Sequence, residues 1–189
     1  ISAVQTPALL LDRGKLARNV HRMHSHIASL GGVLRPHGKT IKSTSLWAEI
    51  SDQRTQGITV STLLEAEYYF AAGVKDILYA VGIAPNKLAR AAALIVAGAE
   101  LKLLLESPQQ VKQVAKAGAA AGIEFPILVE IDSDGHRAGL SPEAPQLIDI
   151  AQLARDLEGI KLIGVMTHAG ASYRCESIAA IESMAEQER

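Results

Sequence analysis

Two spacings of apolar residues take turns along this chain. Leu16, Val20, Met23, Ile27 and Leu30 recur at helical intervals, which predicts a helix over 14–30 that stops at Gly31-Gly32. Ahead of it, residues 8–12 (Ala-Leu-Leu-Leu-Asp) read as a short apolar strand. After it come strand-like runs at 33–35, 57–61, 77–81, 101–105, 126–131 and 162–166. Each is followed by a helix-like segment: 45–54, 63–72, 86–97, 108–121, 142–157 and 176 onward. Gly73, Gly98 and Gly122 fall where left-handed helix C-caps are needed, and Pro108 and Pro142 where a first-turn residue needs no N–H. The strands are apolar nearly throughout, as in a parallel sheet covered on both faces.

Repeated strand–helix units make the fold class α/β, either a (β/α)8 TIM-type barrel or a doubly wound sheet. No Gly-x-Gly-x-x-Gly follows the first strand, which weakens a dinucleotide-binding reading. Six units follow the leading strand where a barrel needs eight, and the chain stops in a charged helical stretch, 185–189. The expectation is therefore an incomplete barrel of about six units, with a complete six-unit open sheet as the competing arrangement.

The length of 189 residues suits one sizeable core or part of a larger barrel. A formal net charge of −1 with interspersed signs offers no face for nucleic acid. No apolar run is long enough to span a bilayer, and no secretory leader is visible. The single cysteine, Cys175, excludes an internal disulfide framework and suits a reducing compartment, so a cytoplasmic location is expected.

Three segments carry candidate chemistry. Lys39, in Leu34-Arg35-Pro36-His37-Gly38-Lys39-Thr40, lies between a strand and a helix, at the strand end where barrels place active sites. A lysine that forms a Schiff base needs a free amine, favoured by burial or nearby cations. Arg35, His37 and Lys42 are candidates for that positive potential, and Gly38 for a close backbone approach to a ligand. A solvated lysine before a helix is an equal alternative. The second segment runs from Glu130 through Asp132, Asp134, Gly135 and Arg137 to Gly139, where a carboxylate and an arginine fork suit a cofactor or substrate. Taken alone, this segment is better explained as a polar loop with an internal Asp–Arg pair. The third holds His168, Ser172 and Tyr173: an imidazole for stacking or proton transfer, and hydroxyls suited to a phosphate. A satisfied strand-end histidine is the alternative there. Elsewhere structural explanations are preferred. Thr62 with Glu65 forms a capping box, and His21, His24 and His26 lie on a solvated face. Trp47, Tyr68 and Tyr69 are packing groups, and Cys175 is structural.

Jointly these segments resemble the fold type III pyridoxal 5′-phosphate (PLP) enzymes, the alanine racemase N-terminal domain superfamily, and within it the D-threonine aldolase and D-serine dehydratase branch. Arg35-Pro36-His37-Gly38-Lys39-Thr40 is similar to that branch's R-P-H-x-K-T motif. Thr6-Pro7-Ala8 opens its usual first strand. Asp132 to Gly139 is similar to its turn ending in R-x-G, and Thr167-His168-Ala169-Gly170 with Ser172-Tyr173 to its H-A-G-x-S-Y segment. The resemblance implies PLP held as a Schiff base on Lys39, His37 among the cofactor-binding residues, His168 against the ring, Arg137 near its 3-oxygen, and Tyr173 as a phosphate or substrate contact. Catalysis would fall to Lys39 and His168. It also implies that residues 1–12 form a leading strand paired with a C-terminal β domain outside this chain, and that 13–189 form the PLP-binding barrel. A D-amino acid substrate, a homodimer and a divalent metal (manganese, magnesium or zinc) bound beyond residue 189 complete what it implies. The expected reaction is aldol cleavage of D-threonine, then dehydration of D-serine, then racemisation, with a non-enzymatic PLP-homeostasis protein as the rival. One departure stands out: Ile41 occupies a position where many relatives carry histidine.

Overall fold

The computed structural model describes residues 3–52, 55 and 57–189. The predicted alternation is observed. Helix α1 (Arg13–Ser29) starts where the Asp12 side chain accepts the Lys15 N–H. Helix α2 (Thr44–Ile50) is capped by Ser43, which accepts from Leu46 N–H. Then follow β1 (Ile58–Val60), α3 (Leu63–Ala71), β2 (Asp76–Gly82), α4 (Leu88–Val96), β3 (Glu100–Leu105) and α5 (Pro108–Ala121). The chain continues through β4 (Phe125–Ile131), α6 (Gln146–Asp156), β5 (Ile160–Thr167) and α7 (Ile178–Glu188). The five strands form one sheet in sequential order, every pair parallel, as in part of a TIM-type barrel. Short parallel strands require crossovers, and the intervening helices supply them.

Successive strand residues serve opposite faces. Ile58, Val60, Ile77, Tyr79, Leu101, Leu103, Leu105, Ile127 and Val129 point to the helix layer and are buried in one cluster. Their neighbours Thr59, Leu78, Lys102, Leu104 and Glu130 take the other face, which would be a barrel lumen. Helix α5 sits close to the chain before β5: a Cβ on Gly118 would stand 2.0 Å from the Gly159 carbonyl oxygen, so only glycine permits this approach.

Four expectations change. The expected strand at 33–35 reduces to isolated parallel bridges, Leu34 with Thr55 and His37 with Thr59. Pro36 between them has no N–H to continue a ladder. Residues 8–12 form no strand, because a strand exists only against a hydrogen-bonded neighbour. Among the described residues none lies alongside, and Leu9, Leu10 and Leu11 are exposed. Helix α6 begins at Gln146, with Pro145 at its N-cap, so Pro142 is not in its first turn. The residue before a proline resists helical geometry, which keeps Ala144 out of the helix. Finally, the histidine-bearing face of α1 is not fully solvated. His24 is buried, with Nε2 3.0 Å from the Ile50 carbonyl and Nδ1 3.1 Å from the Asp52 carboxylate, and it ties α1 to the end of α2. The predicted end of the second helix at Arg54, and residues 1 and 2 of the leading segment, lie outside the described residues.

The smaller readings divide in the same way. The caps at Gly73, Gly98 and Gly122 have φ of 92°, 101° and 66°. The Thr62–Glu65 box is present with both hydrogen bonds. Trp47 and Tyr69 are buried and meet edge to face at 6.1 Å, whereas Tyr68 is partly exposed and its hydroxyl accepts the Thr44 N–H. Cys175 is half-buried, its thiol donating to the Ala180 carbonyl. No helix among the described residues is long and apolar enough to cross a membrane.

Candidate active site

A cavity of about 460 Å³ opens on the second face of the sheet. Residues two apart recur in its lining, Arg35 and His37 from the first segment, Thr59 and Ser61 at β1, Leu78 and Ala80 from β2, Met166 and His168 at the end of β5; Lys39, in the turn after His37, and Val81 and Thr167 complete it. The period of two in an extended chain sends the side chains of each such pair to the same side. Lys39 and His168, expected to act together, line this one cavity from opposite edges of the sheet. Among the described residues Lys39 Nζ makes no hydrogen bond or ion pair.

The Lys39 turn is held by its backbone and by its neighbours. Gly38 N–H donates to Thr59 O at 2.7 Å, Thr59 N–H to Pro36 O at 2.9 Å, and Lys42 N–H closes the turn on Gly38 O at 3.0 Å. Gly38 faces the core and not the cavity: a Cβ there would lie 2.8 Å from the Tyr69 ring and 2.9 Å from the Ile58 side chain. Gly38→Ala therefore has to displace the turn that carries Lys39. We expect it to cost about 1–3 kcal/mol in unfolding free energy, read by denaturant titration. A neutral outcome would show that the Tyr69 ring gives way. Ile41, where relatives carry histidine, is half-buried and packs against the core, so that position does not address the cavity.

The expected positive potential around Lys39 is largely neutralised. Arg35 donates from Nη2 to Asp76 Oδ2 at 2.8 Å, and Lys102 Nζ to Asp76 Oδ1 at 2.5 Å. Burial pushes the Asp76 carboxyl up, but the bonds from Arg35 and Lys102 outweigh it and hold it below the usual carboxylate range. Lys42 pairs with Glu65 at 3.7 Å. His37 is discouraged from charging by its burial first, then by Lys39 and by His168, against the opposing pull of Glu65.

The second and third segments meet each other. Asp134 Oδ2 accepts the N–H groups of Gly170 at 3.0 Å and Ala171 at 2.8 Å, and these bonds hold its carboxyl low. Asp132 Oδ1 accepts from His136 and Arg137 N–H. The exposed Arg137 guanidinium lies over Gly170, where a Cβ would come 3.1 Å from Nε. The structure thus joins Arg137 to the His168 loop without bringing it into the Lys39 cavity. Tyr173, in a 3-10 turn over Ala171–Arg174, is 82% exposed and also stands outside that cavity. Glu130 is buried at the end of β4, where burial, then Glu106 and Asp132, push its carboxyl up. Reading the sequence missed Thr59, Ser61, Asp76 and Lys102. Ser61 carried a signal, since it directly precedes a capping box at a strand end, but Asp76 and Lys102 gave none. Among the described residues no cluster of three or more His, Cys, Asp or Glu stands ready for a metal.

A sequence profile of the family described as alanine racemase, N-terminal domain, matches residues 11–188, and the chain belongs to that family. It is 42% identical over 187 residues to D-threo-3-hydroxyaspartate dehydratase from Delftia sp. HT23, whose solved structure superposes with a TM-score of 0.94; the match covers 98% of this chain and 49% of that one. It is 30% identical to D-serine dehydratase of Dictyostelium discoideum, across 100% of this chain and 50% of the relative. The crystal structure of D-threonine aldolase from Filomicrobium marinum superposes with a TM-score of 0.89 at 25% identity, covering 98% and 50%. The chain thus spans about half the length of the relatives it matches.

Proposed function

We propose that the complete protein is a PLP-dependent lyase of D-3-hydroxy amino acids, with dehydration as the reaction and aldol cleavage second. The observation that carries the reading is the convergence of Lys39 and His168 on one cavity at the strand ends. The order of reactions follows the relatives, since the 42% match is to a dehydratase and the aldolase structure stands at 25%. This reverses the order suggested by the motifs alone.

The residues present fit the cofactor. Lys39 Nζ has no competing partner among the described residues, an imidazole and the Met166 thioether flank the space, and the Thr59 and Ser61 hydroxyls supply polar contacts. PLP, when bound, supplies an electron sink for charge at the substrate α-carbon. Lys39 would hold its aldehyde carbon and, once released by the substrate amine, accept or return the α-proton. His168 would bear on the ring and limit its tilt. Arg137, joined to the same loop, and Tyr173 are the proposed polar contacts at the rim. A divalent cation, a C-terminal β domain paired with residues 1–12, a homodimer and a cytoplasmic location belong to the same proposal. Within it, the metal ligands lie beyond this chain.

The test is product analysis of the complete protein with D-threo-3-hydroxyaspartate, D-serine and D-threonine, with and without chelator. Release of a 2-oxo acid and ammonia is expected. Glycine plus an aldehyde would move the assignment to aldolase, and interconversion of enantiomers to racemase. A bound cofactor with no turnover of any of the three would favour the homeostasis protein.

A further inference from the structure

We infer that His37 is a positioning residue: a neutral imidazole carrying its proton on Nε2, whose bare Nδ1 holds the Lys39 peptide N–H and so fixes the turn that aims Lys39 into the cavity. The inference rests on the reading of Lys39 as cofactor anchor and adds the device that orients it.

The hydrogen-bond inventory fixes the tautomer. Lys39 N–H lies 3.2 Å from His37 Nδ1. A peptide N–H only donates, so Nδ1 must accept and carry no proton. The single proton of a neutral ring is then on Nε2, which faces Ser61 Oγ at 3.3 Å, and a hydroxyl can accept it. Ser61 is itself fixed, because its N–H donates to Glu65 Oε2 at 2.8 Å. Glu65 is the N3 residue of the α3 capping box. A continuous path therefore runs from the α3 N-terminus through Glu65, Ser61 and His37 to the Lys39 backbone.

The surroundings hold the ring in that state. Lys39 and His168 face it with positive or potentially positive groups, Glu65 opposes them from α3, and partial burial disfavours charge. Protonating Nδ1 would set two N–H groups against each other, so the charged ring and the Lys39 turn bond exclude one another. His37 therefore does not act as a cation beside the cofactor. The sign of the pH effect follows: the contact is complete above the ordinary histidine pKa of about 6.5 and is lost as pH falls below it, through the depressed value.

The test is nitrogen NMR of the complete protein with ring-labelled histidine, the His37 signals being those absent in His37→Asn. The Nε2–H tautomer is expected at pH 7.5. An Nδ1–H tautomer or a charged ring at that pH overturns the inference. A second arm compares His37→Asn, whose amide oxygen reaches the Nδ1 position, with His37→Gln, whose oxygen reaches Nε2. Borohydride-trappable PLP attachment should stay within about threefold of wild type in His37→Asn and fall about five- to tenfold in His37→Gln, the worth of one hydrogen bond. Equal rates in the two variants overturn it. Should neither variant fold, Ser61→Ala supplies the assignment by shifting the Nε2 signal alone; a shift confined to Nδ1 would count against the inference. The ring spectrum is read on cofactor-free protein, so a failure of PLP to attach speaks against the proposed function and leaves this result standing.

Discussion

Lys39→Ala is expected to abolish the visible absorbance band of the PLP-loaded protein and to lower turnover by on the order of a thousandfold or more, with almost no effect on folding. The two halves of that expectation have separate origins. Lys39 is the primary amine of the cavity, and among the described residues its Nζ has no other partner. Under the function proposed above, removing it would take away the cofactor's covalent attachment and a base for the α-proton. The side chain is exposed, and the turn is held by backbone bonds from Gly38, Thr59 and Lys42 that alanine leaves intact. A thermal midpoint within about 2 °C of wild type is therefore expected, since surface substitutions away from special features stay near zero in free energy. Spectrophotometry with borohydride reduction and a melting curve check the two halves. A persisting, reducible band would remove Lys39 as the anchor. A large loss of stability would show that its side chain supports the fold.

Asp76→Ala should have the opposite profile, with a severe cost in stability and an indirect cost in function. Asp76 is the shared partner of Arg35 and Lys102, whose side chains are only 17% and 21% exposed. Removing one member of a largely buried ionic cluster strands the others, at a cost of about 3 kcal/mol, and here two cations are stranded together. Arg35 also belongs to the segment that carries Lys39, which joins the sheet by two isolated bridges. We expect denaturant unfolding to shift by that amount and PLP attachment to weaken with it. The acid dependence follows from the carboxyl being held low. Its contribution is complete above the ordinary aspartate pKa of about 3.9 and is lost as pH falls through the lower folded value. Wild type should therefore lose more stability than Asp76→Ala as pH falls from about 4 toward the lower folded value. A shift below about 1 kcal/mol at neutral pH would show that water already screens the cluster.

The parts of the fold legible in the sequence were those written in local periodicity. Leu16 to Leu30 announced α1, Pro108 and Gly122 bracketed α5, and the apolar runs marked β2 to β5. Pairing was not legible. The run at 33–35 looks like a strand, yet Pro36 lets it make only bridges, and 8–12 has strand composition with no neighbour. The site divides the same way. Lys39 and His168 stood out because a strand end is a recognisable place. Asp76 did not, because its role exists only once Arg35 and Lys102 arrive from segments 41 and 26 residues away. His37 is read as a cation from its neighbours in sequence and as a neutral acceptor from its neighbours in space.

The cavity wall begins on the segment beside β1 and ends on β5, with four strands, β1 to β4, between them. Lys39 and His168 are thus the two ends of a chord drawn across a curved sheet. The length of that chord is set by how sharply the arc bends, and each parallel step contributes a spacing of about 4.8 Å. The ladder slips twice, between Tyr79 and Gly82 on β2 and between Leu162 and Gly164 on β5, and an extra residue of this kind bends a strand and increases its twist. Ala80 and Val81, at the first slip, line the cavity themselves, so a bend there bears on the span that any bound molecule has to bridge.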